Sequence, residues 1–130
     1  MSSSERSRDR VDGATELPPI PSVGRVFRTT RPVRWSDVDS GGRVRLDALA
    51  RFLQDVATDD TAELSLPESE VWVVRRTLIE QVRAAELDEV LELTTFCSGI
   101  GSRWAERRIS ITGSGGARVE AVALWVHVDA

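Results

Sequence analysis

A single helical period, confined to residues 45–63 and followed by four stretches of strand character, limits the possible folds of this chain more than any other feature. Leu46, Leu49, Phe52, Leu53, Val56 and Ala57 recur at three- and four-residue spacing and share one broad stripe. Asp47, Arg51, Gln54, Asp55 and Thr58 fall outside it. Asp47 stands where the helix dipole favours a carboxylate. A stripe this broad is the mark of a helix embraced by a sheet.

The strand segments complete the pattern. Val26 to Trp35 reads as a first strand, with Pro32 tolerable only at an edge or bulge. After a loop at Leu66-Pro67-Glu68-Ser69 come Val71 to Arg83, Val90 to Ser98, Trp104 to Thr112 and Ala117 to Val128, all alternating or β-branched. Leu91, Leu93, Thr95 and Cys97 are expected on one face of the second of these. Val122, Leu124, Val126 and Val128 alternate in the last. Gly113-Ser114-Gly115-Gly116 predicts a hairpin turn. One helix against a curved antiparallel sheet defines an α+β domain over residues 24–130, with the hotdog fold, a sheet wrapped around a central helix, as the natural candidate and a related α+β sandwich as the alternative. Residues 1–23, polar and proline-punctuated, read as a disordered leader.

Composition narrows the function classes. At 130 residues the chain suits one domain with a real core. A formal charge of −4 argues against a general nucleic-acid binder. All 17 basic residues are arginine, whose forked guanidinium can still bind an acidic partner or a phosphate locally. The single cysteine, Cys97, excludes an intrachain disulfide, and its strand position predicts a small buried hydrophobe. No apolar run approaches the roughly 18 residues of a membrane span, and the N-terminus has no apolar signal core. A cytoplasmic protein is expected, without membrane or nucleic-acid partners.

Chemistry concentrates at the entry to the helix. Asp37 and Asp39 precede Gly41 and Gly42, and the helix begins a few residues later. In extended chain the two carboxylates point the same way. One reading is a polar turn in which Asp side chains satisfy loop amides. The other is carbonyl chemistry, with a carboxylate as general base or nucleophile and free amides at the helix start for a developing oxyanion. The pair lacks the further acidic ligands of a calcium loop, so no metal is expected. His127 and Asp129, two apart on a strand, read first as structural.

Asp37-Val38-Asp39-Ser40-Gly41-Gly42 resembles the Asp-x-Asp-x-x-Gly entry of hotdog thioesterases acting on coenzyme A esters. Residues 25–130 as a whole resemble the N-terminal half of acyl-acyl-carrier-protein (acyl-ACP) thioesterases of actinobacterial type. The matching pieces are Arg45-Leu46-Asp47-Ala48-Leu49-Ala50-Arg51-Phe52-Leu53-Gln54-Asp55 and its continuation, Trp72-Val73-Val74-Arg75-Arg76-Thr77, Arg103-Trp104-Ala105-Glu106-Arg107-Arg108 and Trp125-Val126-His127-Val128-Asp129. The resemblance implies a thioester hydrolase releasing fatty acids from acyl-ACP, with a standalone acyl-CoA thioesterase or a non-catalytic acyl-binding half as alternatives. It implies Asp39 as catalytic carboxylate, Gly41 and Gly42 as oxyanion-holding amides, and no organic cofactor. Trp35, Leu49, Phe52, Leu53, Val56 and Trp72 are expected to line the acyl pocket. Arg103, Arg107 and Arg108 are expected to dock the carrier. Proteins of this family are usually double hotdogs whose catalytic machinery, including an Asn-x-His element, lies mainly in the second half, so a homodimer or pairing with a second hotdog domain is expected.

Overall fold

The computed structural model describes residues 24–64 and 71–128; the leader, the loop at Leu66–Ser69 and Asp129 lie outside this range. The elements are β1 (Phe27–Pro32), a 3₁₀ turn (Trp35–Asp37), α1 (Leu46–Leu64), β2 (Val71–Arg83), β3 (Val90–Ile100), β4 (Trp104–Gly113) and β5 (Arg118–Val128). The strands form one sheet in the order β1-β3-β4-β5-β2, and every neighbouring pair is antiparallel. This is the single helix and curved antiparallel sheet that the sequence predicts. Pro32 ends β1, an edge strand, where its missing N–H removes little from the ladder.

The core lies between α1 and one face of the sheet. Ala48, Leu49, Phe52, Leu53, Val56 and Ala57 supply the helix side. Leu91, Leu93, Ile109, Ile111, Val119, Ala121 and Ala123 supply the sheet side. One expectation shifts here. Leu46 remains 62% exposed, so the buried stripe begins one turn further in. On β5 the face turned to the core carries Val119, Ala121 and Ala123, while Val122, Leu124, Val126 and Val128 alternate with it and lie on the other face.

Cys97 requires a correction. It is exposed, not buried, although it keeps the β3–β4 register of Leu91, Leu93 and Thr95 and pairs with Arg107; the register shift comes only after it. Phe96, between Thr95 and Cys97, is buried on the other face.

Glu89 ties two connections together. One carboxylate oxygen accepts from the amides of Gly115 (2.8 Å) and Ala117 (3.2 Å), and the other accepts from Glu86 (2.8 Å). The side chain thereby fastens the β4–β5 hairpin to the β2–β3 turn. Gly113 belongs to the same arrangement, since a Cβ there would lie 2.3 Å from Glu89 Oε1. Replacing Glu89 with alanine leaves these amides without an acceptor. Chemical denaturation of Glu89→Ala is expected to show a loss of about 2 kcal/mol, with Glu89→Gln losing less.

Candidate functional site

The chain between β1 and α1 folds into two nested turns, and the two aspartates part company there. The 3₁₀ turn breaks the extended geometry that would have aimed them together. Asp37 is buried: it accepts from the Arg34 amide at 2.9 Å and from the Arg51 guanidinium, while its carbonyl accepts from the Arg45 amide at 2.8 Å. It joins the strand end to the helix. Asp39 is exposed. Its Oδ1 accepts from the amides of Gly41 (2.8 Å) and Arg43 (3.1 Å). The Val38–Val44 bridge closes the loop, and Gly42 turns it with φ +83°.

Those bonds have electrostatic consequences. The Arg43 and Gly41 amides hold the Asp39 carboxyl below its ordinary value of 3.8. The Gly42 amide donates to the Asp39 carbonyl at 3.0 Å. In this conformation both glycine amides expected to hold an oxyanion are therefore engaged by Asp39 itself. Asp39 Oδ2 makes no hydrogen bond among the described residues.

A cavity of about 110 Å³ opens between α1 and the sheet. Ala50, Leu53, Gln54 and Ala57 border it from the helix, Val74 and Thr77 from β2, Arg107 and Ile109 from β4, and Ala123 and Trp125 from β5. Of the expected pocket residues, Leu53 borders this cavity. Leu49, Phe52 and Val56 are fully buried in the core, Trp72 stacks at a tilt on His127 with ring centroids 5.2 Å apart, and Trp35 is 79% exposed. Gln54 and Ala57 were not among the expected pocket residues.

Asp60 was also missed. It sits on the buried stripe of α1, three residues beyond Ala57 and four beyond Val56, where a carboxylate demands a cation. Arg107 Nη1 meets it at 2.7 Å and Arg25 Nε at 3.0 Å, and Arg107 Nη1 also donates to Thr95 Oγ1 at 3.2 Å. The three expected docking arginines accordingly do not share a face. Arg107 turns inward to the helix. Its neighbour Arg108 is buried on the opposite face with Glu120, and Arg103 is exposed in the β3–β4 connection.

Comparison with known proteins agrees with this architecture. Residues 24–130 match the acyl-ACP thioesterase N-terminal domain, and the chain belongs to that family. Two uncharacterized proteins from different strains of Mycobacterium tuberculosis are each 32% identical over 110 residues, covering 84% of this chain and 44% of theirs. The chain thus spans less than half the length of these relatives. An acyl-ACP thioesterase from Bacteroides thetaiotaomicron superposes with a TM-score of 0.74 at 16% identity, over 80% of this chain and 46% of that one. The 4-hydroxybenzoyl CoA thioesterase from Pseudomonas sp. strain CBS-3 gives 0.73 at 19% identity, over 80% and 85%. A hot-dog-like protein from Thermanaerovibrio acidaminovorans gives 0.72 at 18%, over 83% and 84%. The fold is the hotdog fold.

Two outcomes follow from the carboxylates. Asp60→Ala strands the Arg107 guanidinium, whose side chain is only 13% exposed, and is expected to cost about 3 kcal/mol in denaturant unfolding. Pairing Asp60→Leu with Arg107→Met should recover much of that loss. Asp39 has a depressed folded value, so its contribution to stability is full above 3.8 and is lost as pH falls through the folded value. Asp39→Asn should flatten this acid-side dependence in thermal melts recorded across the acid range.

Proposed function

We propose that this chain acts in the hydrolysis of acyl thioesters, releasing a fatty acid from acyl carrier protein in fatty acid biosynthesis in the cytoplasm. The observation that carries the reading is family membership over residues 24–130, together with a largely apolar cavity between the helix and the sheet. The cavity would take part of the acyl chain, and water would attack the thioester carbonyl to give the acid and the carrier thiol. Asp39 remains the candidate carboxylate. Its lowered pKa makes it a weak general base, so a nucleophilic role through the open Oδ2, or orientation of the attacking water, suits it better.

A second reading has its own support. Asp39, Gly41 and Gly42 satisfy one another in the turn, as they would in a half that shapes the pocket while the chemistry lies in a second domain. Pairing with such a domain, or with a second copy, is supported by β2. This strand stands at the end of the sheet and carries exposed Val71, Val73, Val74, Leu78 and Val82. Soluble proteins usually protect an apolar edge of this kind.

The test is thiol release from acyl-ACP and acyl-CoA by the wild-type chain and by Asp39→Asn. Turnover that drops at least about a hundredfold in the variant supports a catalytic carboxylate at Asp39. Preference for the coenzyme A ester would shift the carrier assignment. A folded chain that binds acyl compounds without turnover would favour the pocket-shaping half.

A further inference from the structure

The outer face of the sheet, turned away from α1, is buried at its centre. Phe96 pairs with Arg108, Arg108 with Val122 and Val122 with Leu78, so these four side chains point the same way. Leu93, Ile109 and Ala121 alternate with them and belong to the core under the helix. Along the outer row Phe96 is 5% exposed and Arg108 7%, whereas Leu78 on β2 is 45% exposed. The next row repeats the pattern. Thr94 and Glu120 are buried, and Glu80 beyond them on β2 is exposed. A phenylalanine ring and an ion pair on an open face would stay largely in water. The face is therefore covered over β3, β4 and β5 and bare at its β2 margin.

Among the described residues nothing supplies this cover, since α1 packs on the core side. Residues 65–70 join the end of α1 to the start of β2, and that crossing takes up their reach. Asp129 and Ala130 are too few to fold back from Val128 to Val122. Residues 17–23 have both position and length. They precede β1, the edge strand beside β3, and leave it from a fixed point: Arg25 Nε donates to Asp60 at 3.0 Å, and Gly24 bends the chain with φ +100°. Seven residues in polyproline geometry reach about 20 Å, and the three strand spacings from β1 to β5 take about 14 Å. The fourth spacing, to β2, falls at the limit of that reach.

The composition also suits the surface. Leu17-Pro18-Pro19-Ile20-Pro21 offers two aliphatic side chains to Phe96 and Val122, and its three prolines bring no N–H to bury. Its carbonyls only accept, and the Arg108 guanidinium only donates. We propose that residues 17–21 pack across the outer face of the sheet, over Phe96, Arg108 and Glu120, as an internal cap. The cap closes that face to other chains and leaves the β2 margin as the apolar surface for a partner. This inference does not depend on the thioester reading.

NMR of the full chain tests it. Nuclear Overhauser contacts between the Phe96 ring and the Leu17 or Ile20 methyl groups are expected, unchanged on dilution. A double-mutant cycle in denaturant adds a second readout, combining Phe96→Leu with the paired change Leu17→Ser and Ile20→Ser. The serine pair is expected to lower the unfolding equilibrium constant about tenfold. Combined with Phe96→Leu, its effect should shrink about fivefold, because the two share one contact. Should Phe96→Leu fail to fold, the ring contacts of the wild-type chain and the serine pair decide. Missing ring contacts, or a serine pair as stable as wild type, would overturn the inference. Contacts that weaken on dilution would assign the face to a second copy and overturn it as well.

Discussion

The position of α1 against the sheet is the constraint on which the rest of the molecule depends, and buried carboxylates hold it near both ends. At the entry, Asp37 grips the 3₁₀ turn through the Arg34 amide and reaches into the helix through Arg51. At the far end, Asp60 takes Arg107 from β4 and Arg25 from the segment before β1. Apolar burial of Leu49, Phe52 and Val56 supplies most of the attraction. It is non-directional, however, and would tolerate some sliding of the helix. Ion pairs with fixed geometry set the height and rotation, and the width of the cavity follows from both.

Period and punctuation made the architecture legible. The helical stripe ended where strand alternation began, and the glycine-rich run at 113–116 placed the last hairpin. Exposure along one face was not legible. Cys97 keeps the register of buried Leu91, Leu93 and Thr95, yet it is exposed. On β5 both faces alternate with apolar residues, so periodicity showed a strand without saying which side meets the helix. The alanines at 121 and 123 settle that: the face opposite a packed helix needs small side chains, and the valines and Leu124 go to the other side.

The candidate site was read from type and spacing, and these locate chemistry less well than they locate elements. Arg107 and Arg108 are adjacent in sequence and suggested one cationic surface. Neighbours on a strand face opposite ways, so each is drawn to a different carboxylate, Asp60 or Glu120. Asp60 itself was visible in principle as a charge on an apolar stripe. Such a residue needs a cation from elsewhere in the chain, and the partner, 47 residues away, cannot be deduced from local pattern.

The two aspartates at the helix entry show how a fold gives similar groups different surroundings. In extended chain they would have been equivalent, two residues apart on one side. The 3₁₀ turn from Trp35 to Asp37 rotates the first inward, where burial makes its partners indispensable and its role structural. The second is left outside, where one oxygen closes the loop and the other stays open. A carboxylate used to lock a fold must be satisfied on all sides, and one used for chemistry must keep a free oxygen. Asp37 meets the first requirement and Asp39 the second. The turn that separates them makes both possible within three residues.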